Sequence, residues 1–418
     1  MRILDKLKKV GFSRLTSLDD AVAKLEPFIK MNPIEKAKID VALNRVLATD
    51  VETALDIPPF DRSAMDGYAL KAADTFRASP KSPRTVTLTG KIEIGESKSL
   101  EIQEGEAIRI STGAAIPRGA DSVIKIEDTE IDDGIITLFT SIVPGKNVAK
   151  KGEDASKGTT ILKKGTTLKA EHLALLVSSG IATVRVSQTP TISIIATGNE
   201  LIEVGNPLEP NKIYNSNNAM LSSLVRLYGG QIIRNLTLKD DKDLIKEHLI
   251  LAQKDSQVII FSGGTSVGTK DFLPEVMQEN GQVLAHGIAM RPGSPVLIGK
   301  YEGSIVFCLP GTPVAAYMGF LKFAGPTIRK LMGVINPDPR IEIMATIDRD
   351  VPVSTMGYVH YLRAKLKVLE NDFTAIPIKL KGSGIITSIT ESDGIIEIPP
   401  YKEGLKKGEK VIIKLHPQ

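Results

Sequence analysis

The sequence predicts a multidomain protein of mixed α/β and β class, and three features carry that expectation. Strand-like and helix-like segments alternate from residue 191 to 331, the pattern of a three-layer α/β domain on a largely parallel sheet. Two flanking regions, residues 85–139 and 341–415, instead repeat with period two, as short antiparallel strands do. A length of 418 residues is more than one hydrophobic core normally serves, so roughly two to four units are expected.

In chain order, Ser17 with Asp19 and Asp20 marks a helix start, and Leu18, Val22, Leu25 and Ile29 follow at helical spacing. A second short helix is expected over residues 41–47. Residues 1–52 and 144–186 together form an expected helical stalk and dimerisation domain, with helix again over 171–178. Between them, residues 53–143 read as an inserted β-barrel-like domain, with strands at 85–89, 107–110, 122–127 and 135–139 separated by Gly and Pro turns. The α/β domain covers 187–335, with strands at 191–196, 231–236, 258–261, 283–288 and 305–309 and helices at 219–228, 244–252, 272–277 and 314–331. The segment Asn336-Pro337-Asp338-Pro339 is a linker into a small C-terminal β-domain, 336–418.

Composition narrows the function. Apolar content of 42% and charged content of 24% are those of a globular protein. The net charge, 53 − 49 = +4, is evenly spread, and no basic block is interleaved with aromatics, so nucleic acid is not an expected partner. No apolar run approaches membrane-spanning length and residues 1–9 lack a signal-peptide core, which points to the cytoplasm and away from membranes. The single cysteine, Cys308, excludes an intrachain disulfide and a thiolate zinc cluster, and the five histidines show no metal-ligand spacing.

The chemistry concentrates on residues 258–271, VIIFSGGTSVGTKD. A short apolar strand runs into a loop of Ser262, Gly263, Gly264, Thr265, Ser266 and Gly268, and Asp271 precedes a helix. That arrangement aims backbone N–H groups and a helix N-terminus at an anion. It matches neither the dinucleotide fingerprint nor the P-loop, and an ordinary glycine-rich turn is the competing explanation. Other polar loops fall at the carboxyl ends of neighbouring strands: 197–200, 239–241, 289–295 and 310–313. Ligands of such sheets bind there. Three acids sit on these loops, Glu200, Asp240 or Asp241, and Asp271, as a Mg²⁺-bridged phosphate or pyrophosphate requires; for each alone, a helix N-cap is an equal explanation. Outside the α/β domain, residues 55–69 (LDIPPFDRSAMDGYA) read as a rigid, partly buried loop carrying Asp66, and Ser111-Thr112-Gly113-Ala114 is a second hydroxyl and glycine loop.

The segments PPFDRSAMDGYA, STGA, ATGNEL, SGGTSVGTKDF, RPGSP and LPGTPVAA, in that order, resemble the signatures of the molybdopterin molybdenumtransferase family, MoeA in bacteria and archaea and the gephyrin E domain in animals. The α/β region alone also resembles the MogA/MoaB adenylyltransferases. The resemblance implies an elongated, four-domain homodimer that hydrolyses adenylylated molybdopterin with Mg²⁺, delivers molybdate or tungstate to the dithiolene sulfurs and releases AMP. It implies catalytic roles for Asp66, Glu200, Asp241 and Asp271, and metal binding by Glu200, Asp240 or Asp241, and Asp271. Substrate contacts would come from Thr112, Ser262, Gly263, Gly264, Ser266, Gly268, Arg291, Ser294, Pro310, Gly311, Arg363 and Ser383. Asp66 and Thr112 would reach the site across the dimer interface. A MogA/MoaB-type adenylyltransferase and molybdoenzyme or tungstoenzyme acceptors are the implied protein partners. One departure stands out: Arg291-Pro292-Gly293-Ser294-Pro295 replaces the family's Lys-Pro-Gly-Lys-Pro, which removes one positive charge at Ser294. An adenylyltransferase of the MogA kind and a non-catalytic scaffold of the same fold are the competing functions.

Overall fold

Alternation of side chains along each strand determines how the central sheet is covered. The computed structural model describes residues 15–96, 100–264, 272–369, 372–379 and 382–418. In strand Thr191–Thr197, Ile192 and Ile194 face one side and Ile195 the other; in Val258–Ser262, Ile260 opposes Ile259 and Phe261 in the same way. Both faces are fully buried, so each needs a layer of helices. Helices Ser216–Leu227 and 313–331 cover the first, and Lys242–Ala252 and Phe272–Asn280 cover the second. Cys308 packs in the second core, where burial pushes its thiol far above the usual range.

The six strands run in the order Gln231–Leu238, Thr191–Thr197, Val258–Ser262, Ser304–Leu309, Leu297–Tyr301, Gln282–His286. The first four are mutually parallel, with Ile194 opposite Asn235 and Ile260, and Ile260 opposite Phe307. The last two join the edge by antiparallel pairing, so Leu297–Tyr301 runs against the other five. Leu297–Tyr301 is a strand that the sequence pattern did not signal, because Gly299 and Lys300 interrupt its apolar run.

The flanking units differ from expectation in their details. Helix Leu18–Leu25 packs through Ala21 and Leu25 into the α/β core rather than into the stalk. The stalk itself is strand Ile34–Lys38 paired with Thr183–Ser187, a short pairing of Val51–Glu52 with Thr160–Leu162, and helix Ala170–Ser178. The expected helix over 41–47 does not form. Its chain turns at Asn44 with φ 63°, and the buried residues Val46 and Leu47 bridge to Thr167 and Val186 instead. The chain leaves this stalk for the inserted domain and returns, as expected. There a six-stranded mixed sheet buries one apolar cluster on each face, around Tyr68 and Ile124 and around Ile108 and Val123. The C-terminal domain is the closed one: strand Val359–Leu369 pairs with both Asp372–Lys379 and Gly394–Ile398, sealing a five-stranded barrel. Among the described residues no helix is long and apolar enough to cross a membrane.

Candidate active site at the carboxyl end of the parallel sheet

Three strand-terminal loops meet on glycine. A Cβ on Gly263 would lie 2.2 Å from the Thr197 carbonyl oxygen, and its φ of 103° already excludes most side chains. A Cβ on Gly311 would lie 3.4 Å from the Gly263 Cα, at the near edge of ordinary van der Waals contact. The amide of Asn217, the second residue of its helix, donates to Ser262 Oγ (2.9 Å) and to the Gly311 carbonyl (2.8 Å), tying two loops together. Asn199 and Asp240 lock a third connection: the Asn199 N–H donates to Asp240 Oδ2 (3.2 Å) and the Asp240 N–H to Asn199 Oδ1 (3.3 Å).

These contacts frame a cleft of about 1080 Å³. Glu200, Asp240, Gly263, Gly264, Arg291, Ser294, Pro310, Gly311 and Ser383 all border it, contributed by five connections of the α/β domain and one turn of the C-terminal domain. A recess of about 60 Å³ behind it reaches Ser262 and Asn217. Two buried polar atoms there, Thr197 Oγ1 and Asn217 Oδ1, have no hydrogen-bond partner among the described residues. Buried groups of this kind are normally satisfied, so they suit a polar ligand.

The cations and hydroxyls are held in set orientations. Arg291 Nη1 donates to Thr355 Oγ1 (3.0 Å), and its guanidinium carbon lies 4.1 Å from the centre of the Tyr358 ring. Residues Met290–Arg291 also pair with the first residues of strand Val359–Leu369, so the C-terminal domain carries this loop. The Ser294 hydroxyl donates to the Met290 carbonyl (2.6 Å), spending its proton within the loop. The N–H of Val314 donates to the Ser383 carbonyl (2.9 Å), which pins the C-terminal turn over the start of the 313–331 helix.

Other expected residues stand apart from the cleft. Asp241 caps helix Lys242–Ala252, its Oδ1 accepting from the N–H groups of Asp243 (2.9 Å) and Leu244 (3.0 Å), and it does not line the cleft. Between the two adjacent acids, the structure therefore puts Asp240 at the cleft. Arg363 is fully buried behind the Ser383 turn, donating to Ser388 Oγ (3.3 Å) and the Tyr361 carbonyl (3.1 Å); burial lowers its guanidinium to about 10. Asp66 and Thr112 are joined to each other, Asp66 Oδ1 accepting from the Thr112 N–H (2.7 Å), on the inserted domain and outside the cleft of the same chain. Asp271, Ser266 and Gly268 lie outside the described residues.

Magnesium commonly binds through one or two carboxylates plus phosphate oxygens and water. Glu200 and Asp240 at one cleft fit that need. Among the described residues no group of three His, Cys, Asp or Glu side chains could hold a metal by itself. The sequence reading missed Asn217 as the tie between loops and Tyr214 on the rim; close to Tyr214 in the chain, Lys212 Nζ donates to the Asn199 carbonyl (2.6 Å). The run Asn211-Lys212-Ile213-Tyr214-Asn215-Ser216-Asn217-Asn218, dense in amides just before a helix, was the available signal.

Fold and site together define an α/β protein with a polar, glycine-lined cleft beyond its parallel strands, bordered by a turn of the C-terminal β-barrel. Family models match nearly the whole chain: the MoeA N-terminal region (domain I and II) over residues 16–180, a probable molybdopterin binding domain over 193–330, and the MoeA C-terminal region (domain IV) over 353–415. The molybdopterin molybdenumtransferase of Staphylococcus aureus (strain MSSA476) is 33% identical over 385 residues, 92% of this chain and 91% of the relative. That of Bacillus subtilis (strain 168) is 34% identical over 404 residues, 95% and 93%. The crystal structure of the molybdopterin biosynthesis MoeA protein from Pyrococcus horikoshii OT3 superposes with a TM-score of 0.82 at 34% identity, covering 96% of this chain and 100% of that one. The chain belongs to the MoeA family of molybdopterin molybdenumtransferases.

Proposed function

We infer that this chain is a molybdenum-transferring enzyme of molybdenum cofactor biosynthesis, and we propose that its substrates are adenylylated molybdopterin and molybdate or tungstate. The observation that carries the reading is the meeting of Glu200, Asp240, the Gly263-Gly264 turn and Arg291 at one cleft. Glu200 and Asp240, with Asp271, would hold Mg²⁺, which when bound withdraws charge from a phosphoanhydride and offsets its repulsion by the carboxylates. Backbone N–H groups of the glycine turn orient the phosphate oxygens. Arg291, fixed by Thr355 and Tyr358, presents its charge to the incoming oxyanion. A cleft carboxylate orients water for attack at phosphorus and accepts its proton, and AMP leaves. The Asp66 and Thr112 turn would complete the site from a second copy in a homodimer, since it does not reach the cleft of its own chain.

Purified protein given adenylylated molybdopterin, Mg²⁺ and molybdate or tungstate is expected to release AMP and yield metal-loaded cofactor. ATP-dependent adenylylation of molybdopterin instead, or binding without AMP release, would overturn the proposal.

A further inference from the structure

The 313–331 helix begins at the cleft and ends at a different cavity. This second space, about 890 Å³, opens where the stalk, the α/β domain and the 336–340 linker meet. Lys169, Arg226, Arg329 and Arg340 border it, against one acidic side chain, Asp338. Arg340 is already neutralised by Asp338 through two hydrogen bonds of 2.8 Å. No carboxylate among the described residues forms an ion pair with Lys169, Arg226 or Arg329, although Gln418 reaches the rim. Moreover, Arg329 Nε is buried and has no hydrogen-bond partner among the described residues.

Helix C-termini explain part of this charge. Helices Ser216–Leu227 and Gly325–Leu331 both end here, each contributing about half a negative charge. Against three cations that leaves about two positive charges, and the balance stays positive even when a carboxylate at Gln418 is counted. Forked guanidinium donors suit a carboxylate or a phosphate alike, and Thr166, Thr167 and Asn336 beside them supply the further donors that the additional oxygens of a phosphate need. The volume is that of a small-molecule site.

We propose that this cavity is a second ligand site, separate from the cleft, for a small organic phosphate. Lys169 and Arg226 are solvent-exposed on their elements, so a Lys169→Gln, Arg226→Gln double variant keeps the fold while removing two of the three free cations. Calorimetry with inorganic phosphate and with phenyl phosphate is expected to show saturable binding that weakens about tenfold or more in the double variant. An Arg291→Gln variant, altered only at the cleft, should bind phosphate at the cavity unchanged. Hydrogen exchange with phosphate present should slow at residues 166–172, 225–229 and 333–340. Absence of binding, protection confined to the cleft loops, or equal affinity in the double variant would overturn the proposal.

Discussion

At the scale of single residues, the site rests on positions where one atom more is too many. Gly263 cannot carry a Cβ, because the Thr197 carbonyl oxygen occupies that place and the backbone is left-handed. Gly263→Ala should therefore lower stability by at least about 2 kcal/mol in urea denaturation and reduce AMP release together with it. Neighbouring Asp240 and Asp241 differ by environment rather than by type. Asp240→Asn should raise the Mg²⁺ concentration needed for half-maximal AMP release by about tenfold or more. Asp241→Ala should cost about 1 kcal/mol of stability as a lost helix cap and leave the Mg²⁺ titration unmoved. A Mg²⁺ shift in Asp241→Ala matching that of Asp240→Asn would refute the assignment.

Secondary-structure elements carry the coupling between cleft and barrel. The 313–331 helix was legible as one element, yet its middle, Phe320–Ala324, is a π turn. Pro326 has no N–H for the Lys322 carbonyl and its ring would press on that group, so the widened turn accommodates it. Lys322, in that turn, pairs with Glu397 of the barrel and lies over the Tyr361 ring. Arg363 works the same way from the barrel side, holding Ser388 under the turn that presents Ser383 and Gly384 to the cleft. Ser388→Ala should leave the barrel folded and weaken substrate affinity more than the turnover rate, which a KM and kcat comparison would read. A turnover loss at unchanged KM would count against a positioning role.

For the whole molecule, the domain junctions determine acid stability and the completeness of the site. Burial opposes ionisation of Asp338, but the Arg340 guanidinium outweighs it and holds the carboxyl down at about 2. A carboxyl lowered in the folded state stabilises above its ordinary range and loses that contribution as pH falls toward 2. Asp338→Asn, which leaves a buried Arg340 unpaired, should cost about 3 kcal/mol near neutral pH, and the difference from the parent should shrink between about pH 4 and pH 2. A pH-independent difference would contradict this account. If the Asp66 turn serves the cleft of a second copy, Asp66→Ala and Glu200→Gln are each inactive alone. Mixed and re-equilibrated as dimers, they should recover about a quarter of parental AMP release, since half the dimers carry one intact site of two.

Local pattern determined much of this protein. Strand and helix alternation, the carboxyl-end loops and the glycine turn at Gly263 and Gly264 follow from periodicity and small residues, which act over a few positions. Motif order identified the family, because it samples the whole chain at once. Only the tertiary structure put Asp240 on the cleft and Asp241 in a helix cap, buried Arg363 away from the cleft lining, and made Asn217 a tie between two loops. Those outcomes depend on which backbone groups a side chain meets from distant strands, and identical residue types answer differently according to the N–H or carbonyl that packing brings within reach.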